Sequence, residues 1–274
     1  MKKMLVHKKT NTGNKKTTST MKPSGHNKIM VIDVETNKLL PKKGEPGGVA
    51  NMPYILQLSY IVYNCKTSEC DIVYNNYINV AETVEISDFI TGLTGITREK
   101  CRGGKEITEC LLDFYNDFTQ CDCVVAHNYE FDSQVIQGEI ERNIEALKYK
   151  AVNIGLLFDP MQMLLRGIRH YCTMKESVDF CNILVKYDEE PKVRCRSGSV
   201  DTIISASSEP PKQEKMRKKF PKLSELYQKI FHYDPPKGLH NSLVDVIVCL
   251  RCFMKLKMHK PITDKQFEWL LTSI

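Results

Sequence analysis

Four carboxylates and a histidine stand at spacings suited to metal-assisted phosphodiester chemistry: Asp33 with Glu35, Asp132, and His240 five positions before Asp245. Asp33 and Glu35 are two apart, so on a strand both point to one face. Side by side they repel unless a cation lies between them. Hard ions such as Mg2+ or Mn2+ take carboxylate oxygens and keep positions open for phosphate and water. Asp-x-Glu alone is close to chance in a chain of this acidity. Its place at the end of the apolar run Ile29–Ile32 gives it weight, because open α/β sheets set their ligands at strand ends. Asp132 follows Asn128 by four, which puts both on one side of a helix beginning there. Two readings of Asp132 stand at this level, a helix cap and a metal ligand. His127 is assigned no catalytic role.

His240 lies just beyond the turn-forming Asp234-Pro235-Pro236-Lys237-Gly238, and Asp245 falls within the helix that follows. Asp245 is flanked by Leu243, Val244, Val246, Ile247 and Val248. An unpaired carboxylate buried in that company is costly, so it needs a partner, and a metal is a natural one. A loop histidine ahead of a helix carboxylate suits a general base beside a metal ligand.

These residues need a scaffold, and the hydrophobic pattern supplies one. The pattern predicts strands from Lys28, over Tyr54–Asn64, near 71–79, over Cys123–Ala126 and around His170–Met174. The second and third are joined by so short a link that they must be antiparallel. Helices are predicted over about 106–119, with Ile107, Leu111, Leu112, Tyr115 and Phe118 on one face, and over Phe131–Leu147. Three more close the chain at Leu223–Phe231, Asn241–Leu256 and Thr263–Leu271. Strands first and then alternating helices and strands imply an α/β fold, a mixed sheet with helices on its faces.

The 274 residues suffice for one decorated domain. Residues 1–27, polar and Lys-rich, read as a disordered tail, and 188–222 as a basic loop inserted into the domain, which spans 28–274. Residues 1–28 hold eight lysines and no acid, and 191–222 hold nine Lys or Arg against three acids, leaving a net −8 for the remainder of a +6 chain. An acidic body with basic appendages fits metal in the body and phosphate on the arms; solvated charge fits either arm equally well. No apolar run reaches membrane-spanning length, and the Lys-rich start is no secretory signal. Eleven cysteines, an odd number, read as reduced thiols in an intracellular setting, cytoplasmic or nuclear. Cys121-x-Cys123 and Cys249-x-x-Cys252 read as buried small hydrophobes ahead of zinc ligands.

Three segments carry a resemblance. Val31-Ile32-Asp33-Val34-Glu35-Thr36, His127-Asn128-Tyr129-Glu130-Phe131-Asp132 and His240-Asn241-Ser242-Leu243-Val244-Asp245 resemble, in order, the exonuclease motifs of the DEDDh family. These are the DnaQ-like 3′–5′ exonucleases, which include RNase T and the proofreading subunit of bacterial replicases. Leu93-Thr94-Gly95-Ile96-Thr97 resembles a segment that often lies between the first two motifs. The sister subgroup has tyrosine four residues before the last Asp; here that residue is Asn241, and His240 marks the histidine subtype.

The resemblance implies an RNase H-like fold with a five-stranded mixed sheet and a two-cation site. Asp33 would bridge both ions, Glu35 and Asp245 complete the first, and Asp132 support the second. His240 would take the proton from the attacking water, Thr36 help hold the terminal nucleotide, and Asn128 contact the backbone. The implied substrate is a nucleic acid, single-stranded, with a free 3′ end. DNA in replication or repair, with a DNA polymerase as partner, is set ahead of RNA end-trimming and of a non-catalytic nucleic-acid-binding module. Tyr129 and Phe131 are candidates to stack on bases, Phe131 being the better core residue.

Overall fold

The computed structural model describes residues 27–42, 44–45, 48–186 and 216–272. Three strands open the fold as an antiparallel meander, β1 (Lys28–Thr36), β2 (Ile55–Asn64) and β3 (Glu69–Tyr77). Helices α1 (Asp88–Thr94), α2 (Arg98–Arg102) and α3 (Ile107–Phe118) lead to β4 (Cys123–Ala126). Then come α4 (Tyr129–Arg142), α5 (Ile144–Leu147), α6 (Pro160–Leu165) and β5 (Arg169–Cys172). Short helices α7 (Thr173–Glu176) and α8 (Val178–Cys181) precede a small ribbon of β6 (Leu184–Lys186) and β7 (Met216–Lys218). The chain closes with α9 (Leu223–Phe231), α10 (Ser242–Leu256) and α11 (Asp264–Thr272).

The main sheet runs β3-β2-β1-β4-β5, with β4 parallel to β1 and β5 parallel to β4. The predicted five-stranded mixed sheet of an RNase H-like fold is therefore the one observed. β1, central in it, is apolar at nearly every position from Ile29 to Val34, because both faces are covered. Met30, Ile32 and Val34 enter the core with α3 and α4, whereas Ile29 and Val31 enter the one built on α10. Continuing that alternation puts Asp33 and Glu35 on the α10 face.

Several boundaries differ from expectation. The fifth strand ends at Cys172, and Thr173 and Met174 begin α7. The helix expected over 131–147 starts at Tyr129 and divides at Asn143. On α3 the fully buried side chains are Cys110, Leu111, Phe114 and Phe118, with Leu112 and Tyr115 only partly covered. Of the basic insertion, 188–215 lies outside the described residues, and 216–218 is strand, paired antiparallel with 184–186. The N-terminal tail lies outside them too, apart from Asn27, whose backbone N–H donates to Asp122 Oδ2 at 2.7 Å. Cys121, Cys123, Cys249 and Cys252 are buried in the two cores. Among the described residues no helix is long and apolar enough to cross a membrane.

Candidate active site

The site arises because β1 outruns its parallel neighbour. β4 pairs with β1 through Val31 only, while β2 follows β1 to Thr36. Past Val31 the β4 side of β1 has no strand partner among the described residues, and the chain leaving β4 turns through His127 and Asn128 into α4. Asn128, at φ 83°, sits in the left-handed region that Asn tolerates better than most residues, and is the N-cap of α4. One turn on, Asp132 is 2% exposed, and its Oδ1 accepts the Val34 N–H at 3.1 Å. Its carboxylate thus reaches the neighbouring strand, which replaces the cap reading with a positional one.

The third segment arrives from above the sheet. Asn241 caps α10, its side chain accepting from the Leu243 N–H at 3.2 Å. This orients the first turn so that Asp245 projects toward β1. Asp33, Glu35 and Asp245 each offer a carboxylate oxygen, and the three oxygens lie within 4.8 Å of one another. His240 is exposed with φ 72°, and its backbone N–H donates to Asp245 Oδ2 at 3.2 Å. Thr36 is buried, its hydroxyl donating to the Lys38 carbonyl at 2.8 Å. The ring of Tyr129 stacks on His170 with centroids 4.6 Å apart, and Phe131 packs against the α3–α4 core.

The electrostatics follow from this crowding. Burial pushes the Asp33 carboxyl well above the usual range, and the carboxylates of Asp132, Asp245 and Glu35 push it further. Glu35 rises to about 8 through burial and then through Asp245 and Asp132. Asp245 rises to about 7 through burial, opposed by the His240 N–H, and Asp132 is also raised by burial, opposed by the Val34 N–H. Four acids raised by burial, three of them further by a neighbouring carboxylate, are acids short of positive charge.

Two arrangements escaped the sequence reading. Gln57 and Ser59 on β2, both 0% exposed, pair in register with Glu35 and Asp33 and join the start of α10 to the sheet. The signal was there: two polar residues at alternate positions of a strand otherwise apolar from Ile55 to Val62. His127 is a structural clamp. Its Nε2–H donates to the Pro221 carbonyl at 3.0 Å, and its Nδ1 accepts from the Thr173 hydroxyl at 2.9 Å.

A family model described as "Exonuclease", the RNase T family, matches residues 30–172, more than half the chain. The chain belongs to the RNase T family of exonucleases. Its motifs resemble those of the DEDDh, DnaQ-like type, and exonucleases hydrolyse phosphodiester bonds. The match ends at Cys172, before His240 and Asp245; the fold, not the match, brings those two to the other motifs.

This exonuclease is 32% identical over 103 residues to the PolC-type DNA polymerase III of Streptococcus sanguinis, 31% of this chain and 7% of that one. The corresponding polymerase of Streptococcus mutans is 30% identical over 105 residues, again 7% of its length. The chain thus spans a small fraction of the curated relatives it matches. In fold it resembles Escherichia coli exonuclease I in complex with a dT13 oligonucleotide (TM-score 0.53, 14% identity, 90% of this chain and 44% of that one). It also resembles the nuclease domain of 3'hExo, a DEDDh family member, bound to rAMP (TM-score 0.51, 16% identity, 86% and 94%).

The residues present suit the divalent cation on which this family depends. Among the described residues Asp245 Oδ1 is buried with no hydrogen-bond partner, one oxygen of Asp245 lies within 4.8 Å of oxygens of Asp33 and Glu35, and hard ions prefer an all-oxygen donor set.

Proposed function

We propose that the enzyme removes nucleoside 5′-monophosphates from the 3′ end of a single strand, using two divalent cations, Mg2+ or Mn2+. The observation that carries this reading is the convergence of carboxylate oxygens of Asp33, Glu35 and Asp245 within 4.8 Å of one another. Asp33 would bridge the two ions, Glu35 and Asp245 hold the first, and Asp132 support the second. Bound there, the ions supply the positive charge that stabilises the attacking and leaving oxygens of an in-line displacement. His240, exposed on the loop above Asp245, takes the proton of the attacking water as its oxygen bonds to phosphorus. The bond from phosphorus to the neighbouring 3′ oxygen breaks, and that oxygen takes a proton from solvent, leaving a 3′ hydroxyl on the shortened strand. Thr36, next to Glu35, helps hold the terminal nucleotide, and Asn128, at the turn into α4, meets the backbone.

DNA is the preferred substrate in this reading, in replication or repair and with a DNA polymerase as partner. Its support is that the curated relatives are DNA polymerases and that exonuclease I carries a deoxyoligonucleotide. The rAMP bound to the 3'hExo nuclease domain supports a second reading, trimming of RNA ends. Matched 5′-labelled single-stranded DNA, duplex DNA and RNA, each with Mg2+, Mn2+ or EDTA, separate the two. A ladder of 3′-shortened products that needs metal and vanishes in Asp33→Ala is expected. Cleavage of a circular single strand, or full activity in Asp33→Ala, would overturn the proposal.

A further inference from the structure

The polar side chains on β2 stand beside the acidic ones on β1, on the face covered by α10. Ser59 is the register partner of Asp33, and Gln57 that of Glu35. Neither is exposed to solvent, and each makes hydrogen bonds of definite polarity. The Ser242 hydroxyl donates to Ser59 Oγ at 2.5 Å, and Ser59 donates onward to Asn75 Oδ1 at 2.9 Å. Gln57 Nε2 donates to Asn75 Oδ1 at 2.8 Å and reaches Asn241 Oδ1 at 3.5 Å, while Gln57 Oε1 faces the Ser242 N–H at 3.5 Å. Asn241 Oδ1 also accepts the Leu243 N–H, so the residue capping α10 is itself held by the sheet.

We infer that Gln57 and Ser59, backed by Asn75, are positioning residues that set the first turn of α10, and with it His240 and Asp245, over Asp33 and Glu35. The inference rests on the exonuclease reading of those four residues. Apolar side chains would fill the same strand positions with no polar groups to satisfy. The network's particular effect is directional. It grips Asn241 and Ser242, the two residues directly after His240, and Asp245 lies one turn beyond them. Elsewhere α10 is held by its apolar faces and, a turn or more beyond Asp245, by Arg251 against Tyr227 and Asp264 and by Cys249 beside Thr173. The directional bonds at its N-terminal end are those that act on the turn carrying Asp245 and so set how far it reaches over β1.

The test uses the full chain and three variants: Gln57→Leu, Ser242→Ala, and Tyr60→Phe as a control. Tyr60 lies on the same strand but faces the other core, where its hydroxyl donates to Asp117 Oδ2 at 2.7 Å. The readouts are thermal midpoint, kcat and KM on a single-stranded oligonucleotide, and Mn2+ binding without substrate, followed by loss of the free-ion paramagnetic resonance signal. Gln57→Leu and Ser242→Ala are expected to lower kcat or weaken Mn2+ binding about 10- to 100-fold, with KM within about twofold of wild type. Tyr60→Phe is expected to lower the thermal midpoint and leave kcat and Mn2+ binding unchanged. If Gln57→Leu does not fold, Ser242→Ala, which removes one hydroxyl, carries the test. Variants that lose thermal stability like the control, with unchanged kcat and Mn2+ binding, would show the network to be structural only and overturn the inference. A wild-type enzyme without exonuclease activity would instead overturn the functional reading.

Discussion

Asp132 Oδ1 accepts a hydrogen bond from the Val34 backbone at 3.1 Å, so a site carboxylate also closes the open edge of the strand between Asp33 and Glu35. The two roles separate by substitution. Asp132→Asn retains an oxygen acceptor for Val34 and loses the charge; Asp132→Ala loses both and leaves a buried N–H without a partner. Without metal, Asp132→Asn should unfold at a temperature equal to or above wild type, because it removes one of four repelling acids. Asp132→Ala should be less stable than Asp132→Asn by about 1–3 kcal/mol in urea unfolding. Both should be inactive. Equal stability of the two variants would show that the Val34 bond contributes nothing.

Glu35 links pH to stability. Its carboxyl is raised in the fold from the ordinary 4.5 to about 8, so between those values the native state binds more protons than the unfolded chain. The sign follows: this contribution favours folding at low pH and is lost as pH rises from about 4.5 through about 8. In EDTA, wild type should therefore fall in thermal midpoint relative to Glu35→Gln as pH goes from 5.5 to 8.5. Excess Mg2+ should flatten that difference, because the cation takes over the compensation that protons give. A wild-type and variant pair that track each other across this range in EDTA would contradict the burial of Glu35 among acids.

His240 differs in that its backbone N–H bonds Asp245 while its side chain makes no hydrogen bond among the described residues. At φ 72° the residue is in the left-handed region, where Asn is better tolerated than Ala. His240→Asn should thus keep the loop and the N–H bond to Asp245 while losing the base. The expected result is a kcat about 10²–10⁴-fold lower with thermal midpoint and Mn2+ binding unchanged. Loss of Mn2+ binding in this variant would assign His240 to the metal rather than to the water.

The parts of the site legible from sequence were those written in local pattern. Ile29–Ile32 followed by Asp33-x-Glu35 reads directly as a buried strand with an acidic end, and Asp245 among apolar neighbours announces an uncompensated charge. Asp132 was ambiguous because cap and ligand share the same helix position; the register by which β1 outruns β4 turns its carboxylate to the Val34 N–H, away from a cap, and register is a property of two strands. Gln57 and Ser59 were passed over for the same reason, since their partners on β3 and α10 are up to 185 residues away. The short helices α1, α2 and α6 were not expected at all, each spanning too few turns to show a period. On α3 the periodicity was right, but Phe114 is buried where Leu112 was expected, because the Tyr60 and Phe158 rings pack on that side.

The loop between β1 and β2 is held to α4 by a buried ion pair, which carries a last prediction. Glu139 is 2% exposed, pairs with Arg142 at 2.7 Å and accepts the Ile55 N–H at 3.0 Å. Arg142 in turn donates to the carbonyls of Val49 and Met52, both at 3.1 Å, and lies over the Tyr54 ring at 3.9 Å. The close approach has a steric counterpart at Gly138, where a Cβ would meet the Met52 side chain at 3.1 Å. Burial raises the Glu139 carboxyl, and Arg142 opposes that rise. Arg142→Ala strands the carboxylate and frees the loop, and should cost about 3–5 kcal/mol in urea unfolding. The double variant Glu139→Gln with Arg142→Met removes both charges, keeps an acceptor for Ile55, and should cost less than Arg142→Ala alone. Were the double variant the less stable of the two, the pair would be contributing net attraction beyond mutual compensation, and the stranded-charge account of Arg142 would fail.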